Sequence, residues 1–318
     1  MQFEEILILR QKANYLLFLS TIILLVLPFS MQAQKDKKNK RPHTGTAVMW
    51  REPGDIQSRN LLAGAGGDAM KPDVSHVTFI DQKEGGYSTK YRVRDAAGNE
   101  WVAKVGREAQ PETSANRLLW AIGYETEIDY LIPHLVIDGK GAFDNVRLEA
   151  RPKGVKRIGN WKWEDNPSEG TPEFQGLKIM MLLINNWDMK DSNNQILAPH
   201  DTTGNDELRY IISDLGGSFG KTGGAVSRSR NKPSDYVKAN FIQKVKGETI
   251  AFHYAGKNKK LFDNISIADA RWLSDLLGRL TEEQIKDAFR AANYSAADVD
   301  ELSSAFRERI NTLAALGK

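Results

Sequence analysis

One stretch of the chain constrains its fold more than any other. Residues 177–186, LKIMMLLINN, are strongly apolar and poor in β-branched side chains, which predicts a buried helix in place of a strand. The helix runs straight into a polar loop, WDMKDSNN, and the next apolar run, YIISDLGGSFG, reads as a strand entering a glycine-rich turn. A tight loop on a rigid base can converge Asp188, Lys190 and Asn193 on one phosphate. Asp214, at the end of the strand and ahead of Gly216 and Gly217, is placed to bind a magnesium ion bridging nucleotide phosphates. Each piece alone has a plain reading: a chance spacing, or an ordinary strand-to-turn aspartate. The weight lies in their order along the chain.

The preceding region has a different texture. VTFID after His76 is strand-like, and STKYRVRDAAGNEWVAKV reads as two strands joined by Ala-Ala-Gly-Asn, with Gly85-Gly86 in the turn before them. PETSANRLLWAIGY follows as a helix with Pro111 early, Glu112 in its first turn, and Leu118, Leu119 and Ile122 on one face. LIPHLVI and NVRLEA are two further strands. Lys104 lies at the inward phase of EWVAKV, where a lysine is costly unless it is paired or bound to an anion. Glu112 is its expected partner and Glu108 a rival, while a strand-end lysine reaching solvent is the bland alternative.

From about residue 76 to 310 the chain resembles the protein-kinase-like superfamily, and most nearly its atypical members, such as the secretory-pathway and HipA-like kinases. The resemblance implies an α+β, two-lobed fold, with a small β-rich N-lobe over residues 73–157 and a helical C-lobe over 158–318. It also implies ATP and Mg2+ as cofactors, bound in the cleft. By position, Lys104 matches the strand lysine and Glu112 its helix partner, Asp188 the catalytic aspartate, and Lys190 the lysine that neutralises the transferred phosphoryl. Asn193 and Asp214 match the metal ligands, and Gly85, Gly86 and Ser88 fall in the phosphate-covering loop. The departures are specific. There is no G-x-G-x-x-G, Trp187 replaces the arginine usual before the catalytic aspartate, and no A-P-E follows. A short insertion, APHDTTGNDE, separates Asn193 from Asp214. These leave open an active kinase, a non-catalytic binding scaffold of the same fold, and nucleotidyl transfer. The acceptor is an unidentified hydroxyl on a protein or small molecule.

The N-terminus adds a compartment. Tyr15 to Phe29 carry no charge, too short a run for a membrane span, and Arg10 and Lys12 precede them. This predicts a signal peptide over 1–33, with Ala33 as the small residue at the cleavage point, and hence a periplasmic or secreted protein. Glu4, Glu5 and Met31 fit that pattern poorly, so an uncleaved membrane anchor is the competing reading. Residues 34–72 read as a linker with one short helix, in which Gly64 to Gly67 form a flexible loop. With no cysteine, disulfides, thiolate metal sites and cysteine nucleophiles are excluded.

The remaining features are weaker. A net charge of +3, from 44 basic and 41 acidic residues, gives no broad footprint for nucleic acid. None of His43, His76, His134, His200 and His253 pairs at metal-ligand spacing, although His200 and Asp201 lie in the insertion. Trp161 and Trp163 suit lobe packing better than base stacking. Ser227 to Lys232 is a basic run that could meet an acidic substrate, or simply a solvated loop. The last fifty residues are helical, with capping boxes at Thr281–Gln284 and Ser295–Asp298 and an apolar stripe of Leu302, Phe306, Ile310 and Leu313.

Overall fold

The computed structural model describes residues 45–199 and 206–316. The expected signal segment, His43, His200 and Asp201 lie outside the described residues. Among the described residues no helix is long and apolar enough to cross a membrane.

Five strands form one antiparallel sheet: β2 (Thr78–Lys83), β3 (Thr89–Arg94), β4 (Glu100–Val105), β5 (Asp129–Ile137) and β6 (Gly141–Ala150), in the order β2-β3-β4-β6-β5. The helix α1 (Ala109–Ala121) falls between β4 and β5, as the alternation of the sequence predicts. Register explains how the sheet carries charge. Trp101 and Ala103 of β4 pair with Ala150 and Leu148 of β6, and all four sit in the sheet's own apolar cluster. The intervening pairs, Val102 with Glu149 and Lys104 with Arg147, point to the other face. There Glu112 of α1 meets Lys104 and Arg147, while Asn116 and Arg117 meet Asp129 of β5.

The helical half is built on α2 (Pro172–Leu183), the apolar segment of the sequence, capped by the Thr171 side chain accepting from the Phe174 N–H. Around it pack α4 (Ile267–Gly278), α5 (Glu282–Arg290) and α6 (Ala296–Ala314), after the short α3 (Pro233–Val237). Leu302, Phe306, Ile310 and Leu313 are all buried in this core. Thr281–Gln284 forms a complete capping box and Ser295–Asp298 only its forward half, while Ser266–Asp269 forms an unforeseen one. Trp161 and Trp163 stack edge to face and pack on Phe174, so they belong to the core. Leu118 and Leu119 of α1, and Ile122 just after it, join the same core, which fastens the sheet's helix to the helical half.

Three expectations are corrected. From Thr46 onward the supposed linker is packed structure. β1 (Thr46–Val48) runs parallel to β9 (Glu207–Ile212), in a sheet with β8 (Asn194–Pro199) and β7 (Val155–Gly159). Met49, Ile56 and Leu61 are buried, and the Gln284 amide donates to the carbonyls of Ile56 and Arg59. Gly64 to Gly67 is no flexible loop. A Cβ at Gly64 would sit 2.4 Å from the Arg117 guanidinium carbon, and one at Gly66 would sit 2.2 Å from the Tyr130 hydroxyl. These glycines permit close packing. β7 spans the expected lobe boundary at 157/158 and pairs with β8, so the chain crosses between halves at 151–154. A further small sheet, β10 (Ile242–Lys246), β11 (Thr249–Phe252) and β12 (Ile265–Ser266), precedes α4.

Candidate active site

Lys104 is 3% exposed, and its ammonium is the hub of the cleft. Nζ lies 2.5 Å from Glu112 Oε1, 3.0 Å from Glu108 Oε2 and 3.4 Å from Asp214 Oδ1. Both rival partners read from the sequence are therefore engaged. Burial pushes the Glu112 carboxyl up to about 8, against the pull of Lys104 and Arg147. Behind it the charges continue through Arg147 to Asp129 (2.5 Å) and Glu149 (2.9 Å), and from Asp129 to Arg117 (2.7 Å). Glu149 in turn meets Arg157, which bridges Glu127. Buried ions are tolerable only when each is partnered in this way, and the chain of pairs fixes α1 against the sheet.

Asp188 sits in the loop after α2, its N–H donating to Asn186 Oδ1. Its carboxylate takes Lys190 at 2.9 Å and Lys257 at 2.8 Å, and the Asn193 amide donates to the Asp188 carbonyl at 2.6 Å. Burial would raise the Asp188 carboxyl, but Lys257 and Lys190 hold it below the usual carboxylate range, so it stays ionised. Sequence reasoning missed Lys257. It is placed by its own N–H donating to the Trp187 carbonyl and by the Asn258 amide donating to the Met189 carbonyl. Trp187 fills the place of the expected arginine, and Arg228 supplies a guanidinium 4.0 Å above its ring.

The Asn193 carbonyl accepts from the N–H groups of both Ser213 and Asp214, which locks the loop to the end of β9. Burial would raise Asp214, yet the Lys104 charge and the Gly216 N–H at 3.2 Å hold it well below the usual range. A backbone bond joins Asn193 to Asp214, and the carboxamide of one and the ionised carboxylate of the other are oxygen donors of the kind magnesium takes. Gly216 and Gly217 serve close approach. A Cβ on Gly216 would fall 2.6 Å from the Glu108 side chain, and one on Gly217 3.1 Å from Asn186 Oδ1. Gly85 and Gly86 both adopt φ of +89°, which favours glycine. Their turn brings Ser88 to donate to Glu108 Oε2 at 2.7 Å. Lys90, in register with Lys104, adds a second cation to this face.

Direct contacts thus join Lys104 to Glu112 and Asp214, and Asn193 to both Asp214 and Asp188. The architecture around them is α+β, a five-stranded antiparallel sheet followed by a largely helical half. No family model matches the chain, and no curated protein matches it. Among solved structures, the chain is similar to the Helicobacter pylori proinflammatory kinase CtkA, at 11% identity and a TM-score of 0.46, covering 74% of this chain and 95% of that one. It is also similar to the Golgi casein kinase with Mn/ADP bound, at 9% identity and a TM-score of 0.40, covering 78% and 74%. A third is the Rio2 kinase-ADP/Mg2+-phosphoaspartate complex from Chaetomium thermophilum, at 13% identity and a TM-score of 0.32, covering 77% and 74%.

Proposed function

We propose that the chain is an ATP- and magnesium-dependent phosphotransferase acting on a hydroxyl acceptor. The observation that carries this reading is the single ammonium of Lys104 set between Glu112 and Asp214, with Asn193 adjacent. Lys104 holds nucleotide phosphates, and Ser88 with the Gly85–Gly86 turn covers them. Asn193 and Asp214 hold the magnesium, which supplies charge neutralisation on the phosphoryl group. The ionised Asp188 orients the acceptor hydroxyl and takes its proton, while Lys190 and Lys257 balance the charge around it.

Export is part of the proposal and rests on the uncharged run from Tyr15 to Phe29. Fractionation of the producing cells, with the mature N-terminus read by mass spectrometry, separates cleavage from anchoring. A second reading, a non-catalytic scaffold, is favoured by Glu108, whose carboxylate occupies Lys104 and Ser88 on the side where phosphates would lie. Titration with ATP and magnesium separates the two. Nucleotide at a hundred times its Kd stabilises the native state by about 2.7 kcal/mol, which is visible as a rise in Tm. No rise at millimolar nucleotide would sink the enzyme reading. Where turnover is seen, the mass added to the product distinguishes phosphoryl from nucleotidyl transfer.

A further inference from the structure

Beside the cleft lies an open cavity of about 370 Å3, bounded by the residue after the Gly85–Gly86 turn, by Trp187 and by the segment that follows Asp214. Arg107, Arg228, Arg230 and Lys232 line it together with the rings of Tyr87 and Trp187, and no carboxylate does. Arg228 lies 4.0 Å over Trp187 and Arg230 lies 4.1 Å over Tyr87, so stacking fixes the plane of both guanidinium forks. Arg230 is partnered by Glu108 and Lys232 by Asp235. Among the described residues Arg107 and Arg228 have no carboxylate partner, so the cavity keeps an excess of positive charge.

We propose that this cavity is the acceptor subsite, and that the acceptor is a polypeptide with acidic side chains next to its hydroxyl. The inference rests on the phosphotransferase reading. Trp187 lines the cavity and is the chain neighbour of Asp188, the residue that orients the hydroxyl. An extended peptide advances about 3.4 Å per residue, so a carboxylate one or two residues from the hydroxyl stays within reach of the arginines. The cations come from separate segments, before α1 and after Asp214, which suits several anionic groups better than one. Tyr87 is 68% exposed, so the mouth is open to a passing chain. Planar guanidinium forks match carboxylates in a two-point geometry.

The test uses the full chain and a short labelled peptide with one serine flanked by glutamates, against the same peptide with glutamines. Fluorescence anisotropy should show the acidic peptide binding about ten-fold more tightly at low salt, with the preference fading as salt rises. The double variant Arg107→Ala/Arg228→Ala should lose that preference, while the ATP–magnesium rise in Tm reports that the cleft is intact. Equal binding of the two peptides, or a preference untouched in the double variant, overturns the proposal. Competition by a sugar phosphate without any acidic-peptide preference overturns it in favour of a small phosphorylated acceptor. Peptide binding with no nucleotide response at all overturns the acceptor role, and places the failure in the phosphotransferase reading.

Discussion

The ammonium of Lys104 stands 3.4 Å from the carboxylate of Asp214, a residue 110 positions later in the chain. This contact spans the cleft between the five-stranded sheet and the helical half. It also makes Lys104 answerable for two separate properties. Lys104→Met should abolish the nucleotide-dependent rise in Tm. It should also destabilise the protein itself, by less than the roughly 3–5 kcal/mol of a fully unpaired buried charge, because Glu112 and Glu108 lose their shared ammonium but keep Arg147 and Arg230. Urea titration without nucleotide measures the second effect independently of the first.

Asp214 and Asp188 should separate by phenotype. Asp214→Ala removes the ionised carboxylate proposed to hold the magnesium, so magnesium-dependent nucleotide binding and turnover should both be lost. Asp188→Asn keeps the loop's shape and leaves Lys104 and Asp214 untouched. Nucleotide binding should persist while kcat falls by about 10²–10⁴, the span expected for a missing general base. Equal loss of binding in both variants would contradict the division of roles.

The separation between what the sequence disclosed and what it hid follows contact range. Strand alternation around Lys104, the apolar α2 and the order Asp188, Asn193, Asp214 are local patterns, and each survives in the structure. Lys257 was invisible because nothing near it in sequence marks it. It reaches Asp188 through a backbone bond to Trp187, seventy positions upstream. β1 looked like linker because three residues have no periodicity, and its parallel partner β9 begins at Glu207. Gly216 was legible as a glycine but not for its reason. The side chain it must accommodate, Glu108, belongs to the opposite half.

Burial of Glu112 gives a pH dependence of defined sign. Its carboxyl is raised from about 4.5 in the unfolded chain to about 8 in the folded one, so between those values the folded state binds the extra proton. Stability from this residue is therefore greatest below 4.5 and is lost as pH rises toward 8. Glu112→Gln carries no titrating group there. The difference in unfolding free energy between wild type and variant should shift in the variant's favour across that window, by on the order of a few kcal/mol at most. Parallel denaturation curves at several pH values measure it. A difference that does not change with pH would mean the carboxyl stays ionised throughout.

Glu108 offers the sharpest test of how the cleft admits a nucleotide. Its carboxylate takes Ser88, Lys104 and Arg230 at once, so it engages two of the donors that a triphosphate would need. A phosphate entering between the Gly85–Gly86 turn and Lys104 must displace it or bind beside a like charge. Glu108→Gln keeps the shape and removes the charge. If the carboxylate competes with phosphate, the nucleotide Kd should fall about ten-fold, or about 1.4 kcal/mol. If the carboxylate instead holds Lys104 in place for the nucleotide, Kd should rise. Arg230→Ala should act oppositely to Glu108→Gln under the competing role. Without its guanidinium partner, the carboxylate depends more heavily on Lys104, which weakens nucleotide binding. Calorimetry of the two variants side by side distinguishes a carboxylate that gates the cleft from one that supports it.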